Sequence, residues 1–542
     1  MASGDWWRYG VVYQIYPRSF MDSNGDGIGD LAGITARLDH PGGTPDSLGV
    51  DAIWLSPFYR SPMADYGYDV ADYTDVDPMF GALADFDTLV AGAHIRGMRV
   101  IIDFVPNHTS DQHPWFEEAR SSRDSPKRDW YVWADPRPDG GPPNNWRSSF
   151  ARVGSAWTLD ERTGQYYLHG FLPQQPDLNW WNPQVREAMD DVLRFWLDRG
   201  VDGFRIDVAH KLAKDPELLD NPLVEVDEHA PATERARRLS EAGVRLRDQN
   251  WPEVHEILRR FRRTIDEYDD RMLVGEVYLL DQPSLVRYYG EADDELHLAH
   301  NFVFLHQPWK ADAFRQVVEE FESLVPAGGW PDWFTGNHDH SRVASRYDDG
   351  SGNGRLRARV AAMMLLTLRG TPFLYQGEEL GMVDVPVPEE RRTDVDGRDP
   401  ERTPVQWDAT HEAGFTTGSP WLPVGPDYQT VNVAAERDDP TSMLALYRRL
   451  LDLRRGSGAL RQGSYATLAG TPDGVFAYLR ATDDERLLVA LNMTSDPVSF
   501  DAATDAAVGT LELSTDPGRQ PGPIGLHPLR LGPDEGVIVR LG

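Results

Sequence analysis

The sequence contains no cysteine in 542 residues, which excludes disulfides and thiolate metal sites. It is poor in basic residues. Fifty-four Lys and Arg stand against 87 Asp and Glu, a formal charge of −33. Nucleic-acid binding needs a basic footprint, so that partner class is excluded, and so is docking on an anionic membrane. The acidic excess reads as a contribution to solubility. No apolar run approaches the roughly 20 residues of a membrane helix. The opening MASGDWWRYG has neither the basic nor the apolar region of a secretion leader. These absences lead to the expectation of a cytoplasmic protein. Oligomeric state leaves no trace in the sequence.

What is present is alternation. Short β-branched and apolar runs occur at Val11–Tyr16, Ala52–Ser56, Arg99–Phe104, Gly203–Ile206, Met272–Val277, Phe302–Leu305, Trp333–Gly336 and Phe373–Tyr375. Amphipathic stretches such as Phe86–Arg96, Val185–Arg199 and Pro252–Tyr268 lie between them. Strands alternating with helices predict βα units, and this many predict an α/β fold of (β/α)₈ barrel type. The barrel is expected over residues 1–106 and 183–462. Residues 107–182 are rich in Pro, Gly, Trp and Asn, and read as an irregular domain inserted after the third strand. A long loop at 383–430 follows the eighth strand. The acidic stretch 215–229 reads as a flap. From 463 to 542 the pattern changes to short alternating strands, a C-terminal antiparallel β domain.

Four segments end predicted strands with charged or imidazole groups: IIDFVPNHTS with Asp103, Asn107 and His108; GFRIDVAH with Arg205 and Asp207; VGEVY with Glu276; and FTGNHDHSR with His338 and Asp339. Residues two apart on a strand share a face, so Arg205 can hold Asp207 ionised and oriented, as a glycosidic nucleophile requires. Glu276 comes from the next strand. Negative neighbours and partial burial favour a protonated Glu276 that starts as an acid. Asp339 beside His338 is suited to binding sugar hydroxyls and a positively charged transition state.

Taken together and in this order, DFVPNH, GFRIDVAH, GEVY and NHD resemble the four conserved regions of glycoside hydrolase family 13, the α-amylase family. The resemblance covers nearly the whole chain. It implies a retaining mechanism with Asp207 as nucleophile, Glu276 as acid/base and Asp339 as transition-state stabiliser. It also implies a sugar pocket formed by Asp65 and Tyr68 of DYGYDV with His108, Phe150, Arg205, His338 and Arg402. A salt bridge from Asp65 to Arg402 is expected to close the far end of that pocket, so that one glucosyl unit is removed at a time. QPDLNW (175–180) and YQGEELG (375–381) are similar to segments of the α-glucosidase and oligo-1,6-glucosidase branch. The implied function is exo-hydrolysis of short α-glucosides of maltose, isomaltose or sucrose type. A sucrose or maltose isomerase would use the same intermediate. The Lys-His pair that amylases carry after the nucleophile segment is absent, since Asp207 is followed by Val208, Ala209, His210 and Lys211. Val208 fits either an α-1,6 preference or simple barrel packing.

The loop DSNGDGIGD places side-chain oxygens at Asp22, Asn24, Asp26 and Asp30, with a carbonyl at Ile28. It opens like an EF-hand but has Gly33 where the twelfth-position Glu would stand. Two readings stay open, a hard-cation loop and a metal-free cluster of Asx turns. The family resemblance implies structural Ca²⁺, with Mg²⁺ as a substitute.

Overall fold

The computed structural model describes residues 5–223, 238–239 and 244–542. Eight parallel strands form one sheet: β1 (Val12–Ile15), β2 (Ala52–Leu55), β3 (Arg99–Phe104), β4 (Gly203–Ile206), β5 (Met272–Gly275), β6 (Leu298–Ala299), β7 (Asp332–Phe334) and β8 (Thr371–Tyr375). They pair in the order β6-β5-β4-β3-β2-β1-β8-β7. Because β1 pairs with β8, the sheet curls into a barrel whose seam lies between β6 and β7. A buried side-chain bond crosses that seam, His300 Nδ1 to Asp332 Oδ2 at 2.7 Å.

The sixth strand corrects the sequence reading. Phe302–Leu305 is a short helix, and the strand lies just before it at Leu298–Ala299. The Asn301 side chain accepts a hydrogen bond from the Phe304 amide and caps that helix. A four-residue apolar run cannot by itself tell a strand from a buried helical turn. Here a local cap selects the helix.

Helices wrap the barrel. Pro183–Asp198 starts on an Asn182 cap with proline in its first turn, and buries Val185, Met189, Val192, Leu193 and Trp196, the apolar stripe expected of a barrel-facing helix. After β3 the chain leaves the barrel and builds a small three-stranded antiparallel sheet from Trp133–Ala134, Trp157–Asp160 and Gln165–Leu168. Of the stretch read as a flap, residues 224–229 lie outside the described residues. The C-terminal strands form an antiparallel sheet between Ser464 and Leu541. Its two faces join different cores. Phe476, Tyr478, Leu487, Val489 and Leu491 pack into the core shared with the barrel. Val475, Ala477, Leu488 and Ala490 pack into a separate outer core. The period of two in strand side chains thus fastens the sheet to the barrel and closes its own small sandwich. No helix among the described residues is long and apolar enough to cross a membrane.

Candidate active site

Parallel register brings the charged groups together at the C-terminal mouth. Asp103 on β3 lies beside Arg205 on β4, and Val274 on β5 lies on the other side of Arg205. Asp207 follows the last residue of β4, and Glu276 follows the last residue of β5. The Arg205 guanidinium is buried at the centre. Its Nη1 donates to Asp103 Oδ1 (2.9 Å) and Asp207 Oδ1 (2.6 Å), and its Nη2 lies 2.8 Å from Glu276 Oε2. Below it lie Trp54 and Tyr68, with ring centroids 5.2 and 6.0 Å from the guanidinium carbon.

One guanidinium is therefore shared among three carboxylates, which changes the expected electrostatics. Burial, then the Glu276 charge, pushes Asp207 well above the ordinary carboxylate range against the pull of Arg205. Burial also pushes Asp103 up to about 7. Arg205 orients Asp207, as the spacing predicts, but does not fully neutralise the cluster. The next residue carries strain. Val208 has φ 37°, left-handed backbone that a β-branched side chain rarely adopts. In that conformation its amide reaches Glu276 Oε2 at 3.1 Å, and the Ala209 amide bonds the Glu276 carbonyl at 2.9 Å. The turn thereby ties the two carboxylate-bearing strand ends together.

Asp339, beyond β7, faces this cluster. Its Oδ1 accepts from Arg402 Nη2 (2.7 Å) and Arg398 Nη1 (2.9 Å), and its Oδ2 lies 3.3 Å from His338 Nε2. Burial pushes its carboxyl up, yet His338, Arg398 and Arg402 together hold it well below the ordinary range. Burial lowers the His338 imidazole against the pull of the Asp339 charge. Tyr68 stacks on that imidazole, with centroids 5.5 Å apart, and its hydroxyl bridges His338 Nε2 (2.7 Å) and Asp103 Oδ2 (3.2 Å). His108, lowered to about 4 by burial, lies 3.1 Å from the Tyr68 carbonyl.

The closed end differs from expectation in its arginine. Asp65 is paired with Arg398 (Nη2 to Oδ1, 2.8 Å) and not with Arg402. Arg402 instead fixes the nearby backbone and Asp339, donating from Nε to the His338 carbonyl at 2.7 Å. Both arginines come from DGRDPER, four residues apart, and both approach Asp394. Nothing in the spacing decides which one reaches Asp65. Gln175, part of QPDLNW, is a second contributor that sequence reasoning left without a role. Its amide donates to Asp65 Oδ2 at 3.0 Å and lies 3.1 Å from His108 Nε2. Phe150 is buried under the Arg398 guanidinium (5.1 Å) and packs edge-on against Phe171 (5.5 Å). A cavity of about 700 Å³ is lined by Glu276, Asp339, Arg398, Phe150, Val208 and Lys211 among others. That volume suits a small ligand.

The Asp22–Asp30 loop lies apart from this constellation. Asp22 accepts from the amides of Asn24, Gly25 and Gly27 and from the Thr416 hydroxyl. Asn24 and Asp26 each accept from the amide two residues on, and Asp30 caps the next helix through Gly33. Burial acts against the Asp22 charge, but the Thr416 hydroxyl and these amides hold it below the ordinary range. Among the described residues no three acidic or imidazole groups converge as an ion cage.

Residues 14–463 match the model of the alpha amylase catalytic domain. The chain is 45% identical over 504 residues to a probable alpha-glucosidase of Rhizobium meliloti, covering 91% of this chain and 90% of that protein. It is 40% identical to an oligo-1,6-glucosidase of Heyndrickxia coagulans, over 92% of this chain and 94% of that one. Among solved structures it is similar to the trehalulose synthase of Pseudomonas mesoacidophila MX-45, with a TM-score of 0.89, 37% identity and 99% of each chain covered.

Proposed function

The chain belongs to the α-amylase family of glycoside hydrolases, and from that premise we propose a retaining, exo-acting α-glucosidase that removes terminal glucose from short α-glucosides. The observation that carries this reading is the shared guanidinium. Carboxyls held on the two terminal nitrogens of Arg205 stand side by side. Retaining enzymes need roughly 5–5.5 Å between their carboxyls, whereas inverting enzymes leave roughly 6.5–9.5 Å for a water.

In this reading Glu276 acts as the acid and Asp207 as the nucleophile. Glu276 protonates the glycosidic oxygen as that bond breaks, and the Asp207 carboxylate takes the anomeric carbon. A water then gives its proton to Glu276 and its oxygen to the same carbon, which releases α-glucose and frees Asp207. Asp339, ionised and held by two arginines, binds ring hydroxyls and favours the oxocarbenium-like state. The Asp65–Arg398 pair closes the pocket one sugar deep and makes the action exo. We assign Tyr68, His108, Phe150, Arg205 and His338 to the glucosyl pocket on the same grounds.

The second reading, transfer to a sugar in place of water, is supported by the likeness to a trehalulose synthase. Both readings share the glucosyl-enzyme, so products separate them. A time course on maltose, isomaltose and sucrose, resolved by anomer, is expected to give α-glucose first. β-Glucose first would overturn the assigned roles. Isomerised disaccharide with little free glucose would overturn hydrolysis as the main activity.

We also propose Ca²⁺ at the Asp22–Asp30 loop. The donors are all oxygen, which suits a hard cation. The loop is wrapped by its own amides, and Asp22 is held ionised within it. The ion would supply stability, not chemistry.

A further inference from the structure

Two lysines follow the nucleophile, and they are equally buried. Lys214 is 6% exposed, and its ammonium is matched by Asp177 (2.7 Å) and the Asn107 side-chain oxygen (2.7 Å). Lys211 is 8% exposed and has no hydrogen bond or ion pair with any described residue. Its ammonium lies 5.9 Å from the centre of the Phe171 ring, which lines the cavity as Lys211 does. An ammonium rarely gives up water without a partner. This one lines a cavity that reaches Glu276 and Asp339 but has none of Asp65, Tyr68 and His108 in its wall, so it stands outside the closed end, where the leaving part of a substrate must lie.

Two more cations line the same cavity. Arg245 and Arg287 are exposed and likewise unpaired among the described residues. Asp281 and Asp396 also line the cavity. The Asp281 carboxylate is engaged by the Ser284 amide at 3.2 Å, and Asp396 lies exposed on the Arg398 loop. A molecule with a charge of −33 repels anions at long range. Three cations without an ion-pair partner among the described residues line its cavity beside the carboxylates of Asp281 and Asp396, and a low-dielectric wall concentrates their local effect. Neutral sugars need hydrogen bonds but no such charge.

We propose that Lys211, backed by Arg245 and Arg287, selects α-glucosides whose aglycone carries an oxyanion, either a carboxylate or a phosphate. The inference rests on the α-glucosidase reading and specifies the substrate class of that same site. Lys211 binds the leaving portion and takes no part in bond cleavage.

The test compares matched pairs on the full chain. Maltobionate and maltitol share a glucosyl donor and an open-chain aglycone, and differ in a carboxylate. Maltose bearing phosphate on C6 of its reducing glucose is set against maltose. A charge-assisted contact predicts kcat/KM at least about tenfold higher for one charged member over its neutral partner. That ratio should fall as salt screens the cations. The pair that shows the preference identifies the oxyanion. In Lys211→Met the ratio should collapse towards one, and in Lys211→Arg it should largely survive. Ratios near or below one in both wild-type pairs would overturn the proposal. A ratio that persists in Lys211→Met would overturn the role of Lys211. Release of nitrophenol from 4-nitrophenyl α-glucoside is measured alongside. If that neutral substrate and all four sugars are inert, the hydrolase reading itself fails. If it is cleaved while the ratios stay flat, only the aglycone inference fails.

Discussion

At the scale of single residues, function rests on crowding like charges around too few cations. Arg205 and Asp207 were legible because a strand repeats every two residues. Their sharing with Asp103 and Glu276 was not, because register across three strands sets it. Asp207→Asn and Glu276→Gln are each expected to remove nearly all turnover of maltose while leaving the melting temperature within a few degrees. Each substitution keeps the side-chain volume and relieves repulsion around Arg205. Near-normal rates in either variant would refute the assigned roles. A second buried acid gives a stability prediction. The Glu378 carboxyl forms no ion pair among the described residues, and burial raises it to about 8 from an ordinary 4.5, against the pull of the Tyr375 backbone. It sits directly on Gly336, where an added methyl group would lie 2.5 Å from its oxygen. The folded protein keeps a proton that the unfolded chain releases. Its favourable contribution is thus intact below pH 4.5 and is lost as pH rises towards 8. Glu378→Gln should therefore match wild type in urea midpoint near pH 5 and exceed it near pH 9. Parallel midpoints across that range would show that Glu378 does not titrate in this window.

At the scale of elements, the strand-end motifs were readable and the loops were not. Seven of the eight barrel strands coincide with apolar runs in the sequence. The sixth is only Leu298–Ala299, too short and too ordinary in composition to stand out beside Phe302–Leu305. The loop after β8 supplies two arginines that spacing cannot rank, and the structure gives Asp65 to Arg398. A direct consequence follows for exo action. Arg398→Ala strips a buried carboxylate of its partner, so kcat/KM on maltose should fall by at least about a hundredfold. It should also open the closed end. A donor blocked at O4 of its terminal glucose, inert with wild type, should then be cleaved slowly. If Arg402→Ala admits the blocked donor and Arg398→Ala does not, the barrier has been assigned to the wrong arginine.

At the scale of the whole molecule, the alternation of strands and helices announces a barrel, but which distant loops clasp each other appears only when the chain closes. The Asp22–Asp30 loop comes from the first turn of the barrel. It docks against residues 415–421 of the long loop that carries both arginines. The Asp22 amide bonds the Phe415 carbonyl (3.1 Å), the Trp421 amide bonds the Gly27 carbonyl (3.0 Å), and Thr416 donates to Asp22. Gly27 is in left-handed backbone at φ 91°, with the Ser419 carbonyl so close that an added methyl group would lie 1.9 Å from its oxygen. Only glycine permits this approach. An ion within the first loop would therefore stabilise the second, and with it Arg398 and Arg402 over the mouth. Binding to the folded state alone raises stability by mass action. Removing Ca²⁺ with EDTA is accordingly expected to lower the melting temperature by several degrees. It should also lower kcat/KM on maltose, because the loop that loosens carries Arg398 and Arg402, which hold Asp65 and Asp339. Added Ca²⁺ should reverse both changes. An unchanged melting curve, with no metal found by elemental analysis, would mean that the two loops are held by their amides alone.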